Sequence, residues 1–180
     1  MTASISALAL TPGRDDAPLH TISVLVRNQP GVLVRVSLVF ARRGYNIESL
    51  VVSPDVTNGD FSRMTITCRG ETDTFEQISK QLTKLVDVVH AIDHTGQAVV
   101  ETEIALVKIR TTDVAARTEV LQVAEHYKAK VVDYGSESVV LRVYGASEKL
   151  DSFIGLLRPF GITELVRSGK VLMARGPETT

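Results

Sequence analysis

The chain has 180 residues, 44% of them hydrophobic, which is enough for one ordinary core or two small ones. Lys plus Arg is 20 and Asp plus Glu is 21, so the basic excess typical of nucleic-acid binding is missing. Only one cysteine occurs and no apolar run approaches the roughly 20 residues that span a membrane. These features predict a cytoplasmic protein without an internal disulfide, contacting neither nucleic acid nor a membrane.

Residues 1–19 contain two prolines, two aspartates and Gly13 and are expected to form a flexible tail. In residues 20–27 the apolar side chains alternate, which predicts a strand. From Val32 the apolar positions take helical spacing. Gly44 then ends that helix as a C-terminal cap.

The following segments complete a first structural unit. Residues 45–53 and 61–69 are predicted strands, joined by a loop with a turn signal at Asn58. Residues 73–76 resemble a capping box that opens a second helix, and residues 86–92 form a fourth strand. The resulting order is βαββαβ, the split βαβ arrangement.

The second half repeats this order. Its strands are predicted at 104–110, 130–134, 139–144, 162–166 and 171–174, and its helices at 114–127 and 147–158. The first helices of the two halves begin at Val32 and Val114, 82 positions apart. The predicted fold class is therefore α+β, with two tandem ferredoxin-like βαββαβ domains. The predicted bounds are 1–19 for the tail, 20–95 and 103–176 for the domains, 96–102 for the linker and 177–180 for a second tail.

Residues that could perform catalysis or bind a metal or cofactor form no recognisable group. The four histidines are scattered and are interpreted as solvated surface residues, and the isolated glycines do not form a phosphate-binding loop. Cys68, in a strand-like run, is expected to be a buried hydrophobe. We therefore expect no catalytic, metal-binding or cofactor-binding residue in this chain.

One strand-to-helix junction, residues 27–33, favours ligand binding. The first turn of a helix carries amide groups without internal partners, and those of Gly31, Val32 and Leu33 are suited to a carboxylate. Gly31 has no Cβ to block a ligand, and Asn28 offers both a donor and an acceptor. On these residues alone, a simple tight turn at Pro30 and Gly31 is the favoured explanation of the pattern.

Several blocks of sequence strengthen the ligand-binding interpretation. They are Pro30-Gly31-Val32-Leu33, the run from Arg43 to Leu50 (RGYNIESL), Ser62 to Ile66 (SRMTI), Gln81 to Val88 (QLTKLVDV), Arg167-Ser168-Gly169 and Ala174-Arg175-Gly176. Over about residues 20–176 the chain resembles the small regulatory subunits of acetolactate synthase (acetohydroxyacid synthase). Its first domain resembles the ACT domain, an amino-acid-binding ferredoxin-like module.

The resemblance implies a regulatory chain that is not an enzyme by itself. It would stimulate a separate large catalytic subunit that uses thiamine diphosphate, Mg²⁺ and FAD in branched-chain amino acid synthesis. It would also confer feedback inhibition by valine, or by leucine or isoleucine. The effector would lie between two ACT domains of a homodimer or higher homo-oligomer, held by Asn28, Gly31, Val32 and Leu33 of one chain and Asn46 and Ile47 of the other.

Three other functions are compatible with parts of the sequence. A free-standing ACT-domain amino-acid sensor would act on a different partner. An RNA-binding protein would share the βαββαβ order but would need aromatic side chains on its central strands, where residues 22–27 and 61–69 supply only Phe61. An enzyme in its own right is disfavoured because no group of catalytic side chains is present.

Overall fold

The computed structural model describes residues 17–177 and residue 180, with the backbone alone for residues 72–74. Within that part, the chain divides into two compact units, and the boundary along the sequence lies between Gln97 and Ala98. Most of the predicted N-terminal tail, residues 1–16, and residues 178 and 179 of the second tail lie outside the described residues. Among the described residues, no helix is long and apolar enough to cross a membrane.

The first unit has the predicted βαββαβ order. Its elements are β1 (Leu19–Arg27), α1 (Val32–Arg42), β2 (Ile47–Pro54), β3 (Phe61–Arg69), α2 (Thr72–Leu82) and β4 (Val88–Asp93). The strands form one antiparallel sheet in the order β2-β3-β1-β4. The long central strands β1 and β3 pair along their whole length, from Leu19 opposite Arg69 to Arg27 opposite Phe61.

The core of the first unit lies between one face of this sheet and the two helices. Alternation along β1 places Ile22, Val24 and Val26 on that face, and all three are fully buried. The helices contribute the stripes that their spacing predicts, namely Val32, Val36, Val39 and Phe40 from α1 and Phe75, Ile78 and Leu82 from α2. The core therefore fixes which side of α1 turns inward and which side is left to solvent.

Three local predictions in the first unit are wrong. Helix α2 begins at Thr72, earlier than the capping box at 73–76 implies, and its N-cap Glu71 makes no side-chain capping bond. Strand β4 begins only at Val88, because Val86 is almost fully exposed in the preceding turn. Strand β2 begins at Ile47, which leaves Asn46 in the connection before it.

The second unit repeats the arrangement and adds a strand. Its elements are β5 (Val99–Arg110), α3 (Val114–His126), β6 (Lys130–Tyr134), β7 (Ser138–Gly145), α4 (Ser147–Leu157), a 3₁₀ turn (Arg158–Phe160), β8 (Ile162–Arg167) and β9 (Val171–Ala174). The sheet order is β6-β7-β5-β8, equivalent to that of the first unit. The α+β fold class with two ferredoxin-like units is thus confirmed.

Strand β5 is longer than predicted. Residues 99–102, assigned to a linker at 96–102, form its first four positions and pair with β9, from Val99 opposite Ala174 to Thr102 opposite Val171. The linker prediction is wrong there, because the partner strand is more than 60 residues away and leaves no local signal. Lys170 on the turn into β9 bonds both carboxylate oxygens of Glu101 at 2.9 Å, which reinforces this pairing.

Candidate functional site

The junction between β1 and α1 is held by the loop that joins β2 to β3. The Asn28 amide donates to the Asp60 carbonyl at 2.7 Å, and the Asn28 side-chain nitrogen donates to the Gly59 carbonyl at 3.2 Å. Asn28 is exposed and lines a cavity of about 340 Å³ between the junction and this loop. Its side-chain oxygen is a hydrogen-bond acceptor, and Gly31, Val32 and Leu33 are not among the residues that line this cavity.

Gly31 is the N-cap of α1 and has a left-handed backbone, with φ +83° and ψ −7°. Side chains other than glycine rarely adopt this conformation, so the position requires glycine for its backbone as well as for access. No side chain caps this helix end, and the Val32 amide makes only a 3.4 Å bond to the Gln29 carbonyl. The following amides of Leu33 and Val34 belong to the first turn, where a helix supplies no partner of its own.

The side chains next to Gly31 have different environments. Val32 is 2% exposed and packs in the core, so only its backbone is available to a ligand. Leu33 is 40% exposed and lies on the outer side of the helix. A ligand whose carboxylate meets the amides of the first turn can therefore contact the Leu33 side chain, but not that of Val32.

Asn46 and Ile47 lie beyond the other end of α1. An 11-residue helix is about 16 Å long, so one chain does not bring them to Gly31. Asn46 is exposed and lines a separate cleft of about 270 Å³, whereas Ile47 is half-buried against the core. A site that contains both groups needs a second chain, which is how the resemblance assigns them.

Arg35 is a neighbour of this site that the sequence analysis missed. Its Nη1 atom lies 3.4 Å from where a Cβ on Gly31 would be, and its Nη2 atom pairs with Asp87 at 2.7 Å. A cation so near the N-terminus of a helix is electrostatically unfavourable unless an anion is close. The available signal was a basic residue four positions after the glycine, on the same side of the helix.

The second unit offers an internal comparison for this junction. Asp113 occupies the position equivalent to Gly31 and caps its own helix, because its carboxylate accepts from the Ala116 amide at 3.0 Å. Arg117, equivalent to Arg35, donates to the backbone carbonyls of Thr111 and Ser136. The chain thus fills the helix terminus of the second unit and leaves that of the first uncapped.

Two of the four histidines differ from the prediction of solvated surface residues, whereas His126 is exposed as predicted. His20 and His94 are 1% and 5% exposed, with their ring nitrogens hydrogen-bonded inside the first unit. Cys68 is buried as expected, and burial together with Asp93 and Glu48 raises the pKa of its thiol to about 12. Among the side chains that the structure describes, no cluster of three or more His, Cys, Asp or Glu residues is arranged to hold a metal.

Comparison with known proteins accounts for both units. The family model of the AHAS small subunit-like ACT domain matches residues 22–90, and that of the small subunit of acetolactate synthase matches residues 102–176. The chain is 43% identical over 160 residues to the acetolactate synthase small subunit of Mycolicibacterium smegmatis, covering 89% of this chain and 93% of that protein. The chain belongs to the acetolactate synthase small subunit family.

Other members of the acetolactate synthase small subunit family agree with this assignment. The probable acetolactate synthase small subunit of Methanothermobacter thermautotrophicus is also 43% identical over 160 residues, covering 89% of this chain and 95% of that protein. The crystal structure of the acetolactate synthase small subunit from Thermotoga maritima has a TM-score of 0.78 at 36% identity, over 89% of this chain and 99% of that chain. In this family member the uncapped helix terminus thus lies within the ACT domain.

Proposed function

We propose that this chain regulates a separate catalytic subunit of acetolactate synthase, stimulating it and making it sensitive to feedback inhibition by valine, leucine or isoleucine. Family membership supports the regulatory role and implies a large catalytic partner. Thiamine diphosphate, Mg²⁺ and FAD are assigned to that partner. The reaction is assigned to the cytoplasm.

The uncapped first turn of α1 is the observation that supports this proposal most directly. Gly31 leaves room for a ligand carboxylate at the amides of Val32 and Leu33, and the guanidinium of Arg35, which is paired with Asp87, lies beside Gly31. Asn28 supplies an oxygen that an ammonium group can bond. These groups match the two charged ends that every free amino acid carries.

The remaining contacts are assigned to a second copy of the chain. Asn46 and Ile47 of the partner would close the site, and a branched aliphatic side chain would bury between Ile47 and Leu33. Burying a side chain of that size contributes about 1.5 to 3 kcal/mol. Because the effector then touches two chains, its binding shifts how they associate by its differential affinity for the two arrangements.

We expect the purified chain to form a dimer or a higher oligomer through its first unit. The outer side of α1 exposes Leu33, Val34 and Leu38 to between 40% and 61%, and β2 is an edge strand with unpaired backbone groups. Light scattering should give at least twice the chain mass at micromolar concentration. Leu38→Glu should weaken this association, whereas Leu156→Glu, on a similarly exposed α4 position of the second unit, should not. A monomer with and without valine contradicts the prediction.

Reconstitution with the cognate large subunit tests the regulatory role. The chain alone, supplied with thiamine diphosphate and Mg²⁺, should form no acetolactate, since its described residues assemble no group of catalytic side chains. Added to the large subunit, it should raise the rate of acetolactate formation, and valine should lower that rate again. Turnover by the isolated chain contradicts the proposal. Amino-acid binding without any effect on the large subunit favours a free-standing sensor instead.

A further inference from the structure

Arg35 and Asp87 form an ion pair next to the candidate effector site. Arg35 Nη2 lies 2.7 Å from a carboxylate oxygen of Asp87, whose side chain is only 15% exposed. The Asp87 carbonyl accepts from the Arg27 amide at 2.8 Å, and the next residue, Val88, pairs with Val26 of β1. Asp87 is therefore fixed to the same strand end that leads into α1.

The two terminal nitrogens of Arg35 have different surroundings. Nη2 faces Asp87, whereas Nη1 lies 3.4 Å from the point where a Cβ on Gly31 would be. Gly31 precedes the first turn of α1, and no side chain caps that turn. A guanidinium is planar and presents its donors in a rigid fork, so holding one terminal nitrogen also fixes the direction of the other. The pair with Asp87 thus holds Nη1 beside the uncapped end of the helix.

We propose that Arg35 binds the α-carboxylate of the effector through Nη1, and that Asp87 is the positioning residue that holds Arg35 there. The inference rests on the proposed function, because it needs an amino-acid carboxylate at the first turn of α1. Hydrogen bonds between a guanidinium and a carboxylate are among the strong ones in proteins. A side chain that is already held in its bound conformation loses less freedom when the ligand arrives, which favours affinity.

Asp87 has two opposite effects on an anionic ligand. Its negative charge repels a nearby carboxylate, whereas its contact with Arg35 fixes a flexible side chain that is 45% exposed. The charges of the pair offset each other and solvent screens what remains, so we expect positioning to dominate. Removal of the Asp87 carboxylate then weakens effector binding, whereas a role through charge alone would strengthen it. The sign of the change separates the two roles.

The second unit contains the same arginine in a different setting. Arg117 follows the N-cap Asp113 by four positions, as Arg35 follows Gly31, but it donates to backbone carbonyls rather than pairing with a carboxylate. The Asp113 side chain already accepts from the first turn of its own helix. Arg117 thus stabilises the backbone at a junction where no effector is proposed to bind, and it is the matched control for Arg35.

Titration calorimetry of the full chain with L-valine, L-leucine and L-isoleucine as separate ligands tests this assignment. Arg35→Gln should weaken binding of the effector by about tenfold to a hundredfold, the range for a hydrogen bond to a charged group. Asp87→Ala should weaken binding by a smaller factor, and Arg117→Gln should leave it unchanged. Unchanged or tighter binding in Asp87→Ala overturns the positioning role, and unchanged binding in Arg35→Gln overturns the whole inference.

A double variant shows whether Asp87 acts through Arg35. In the Arg35→Gln background, Asp87→Ala should cause no further loss of affinity, because the side chain that Asp87 positions has been removed. A merely structural role of Asp87 would instead reduce affinity by the same factor in both backgrounds, which contradicts the proposal.

The wild-type chain provides a measurement that does not depend on how well the variants fold. In NMR spectra, the side-chain Nε–H signal of Arg35 should shift as the effector is added, whereas that of Arg117 should stay in place. An Arg35 signal that does not move at saturating effector overturns the inference. A wild-type chain that binds none of the three amino acids contradicts the proposed function itself, whereas binding that persists unchanged in Arg35→Gln contradicts this inference alone.

Discussion

Gly31→Asp should weaken feedback inhibition by the effector amino acid while leaving much of the stimulation of the catalytic subunit. An aspartate there brings a carboxylate beside the uncapped first turn of α1; at the equivalent position of the second unit, the Asp113 carboxylate accepts from the Ala116 amide at 3.0 Å. The new side chain would also lie beside the Arg35 guanidinium, 3.4 Å from the added Cβ. The new carboxylate would thus compete with the effector's own carboxylate for the groups that are proposed to hold it.

Charge repulsion sets the size of this effect. Two like charges about 4 Å apart repel by about 1 kcal/mol in water and about 4 kcal/mol at the effective dielectric near a protein surface. Since 1.4 kcal/mol is tenfold in affinity, the inhibitory concentration should rise by between about fivefold and several hundredfold. Pairing of the new aspartate with Arg35 reduces the repulsion, but it also removes that cation from the effector.

The matched control is Gly161→Asp in the second unit. Gly161 has the same φ of +83° as Gly31, and a Cβ added there meets nothing within 4 Å. Both variants therefore introduce one negative charge at a glycine of positive φ, where an L-residue is strained by about 1–2 kcal/mol. Dose-response curves of the reconstituted pair should show weakened inhibition in Gly31→Asp alone. Unchanged valine inhibition in that variant would show that the effector binds elsewhere.

Phe75→Ala should be among the most destabilising single changes in the first unit. Phe75 is fully buried, its ring stacks on His20, and Tyr45 packs against it edge-on with centroids 5.6 Å apart. Truncating a buried phenylalanine costs about 3–5 kcal/mol in lost burial and cavity formation. Whole domains are stable by only about 5–15 kcal/mol, so much of the margin of this unit would be removed.

Urea unfolding followed by circular dichroism and by amide hydrogen exchange measures this loss. The two cores share no residue, so exchange should accelerate in β1 and β3 while protection of β5 and β7 persists. Phe61→Ala removes the same side chain from a half-buried position of the same unit and should cost clearly less. Equal losses in the two variants would show that the ring stack around Phe75 contributes little.

The elements that sequence patterns predicted well are those with strong local signals. Strand β3 was predicted with its observed bounds of 61–69, because alternation and the turn at Asn58 delimit it. Helix α1 followed from the spacing of Val32, Val36, Val39 and Phe40, despite a valine content that favours strands. By contrast, the first residues of β5 pair with a strand far along the chain, and no local pattern indicates such a partner.

Sequence predicts the backbone groups of the candidate site but not the positions of its side chains. The position of Gly31 at a strand-to-helix junction indicated exposed amides, and the structure has that helix end uncapped. The role of Arg35 depends on where its flexible side chain folds back, toward Gly31 and Asp87. The burial of the two histidines likewise depends on residues far away in the sequence. His20 contacts Gly70 and Thr95, and His94 contacts Ser23.

The Asp113 carboxylate that caps α3 occupies the same kind of helix terminus that is proposed to bind effector at α1, and it is covalently attached to that helix. Asp113 is joined to Ala116 by three peptide bonds, so its carboxylate meets that amide at an effective concentration set by the tether rather than by the solution. A dissolved amino acid would have to displace it in every encounter. Of the two equivalent junctions, before α1 and before α3, each chain should therefore offer effector only the first, and titration calorimetry should not exceed one bound amino acid per chain.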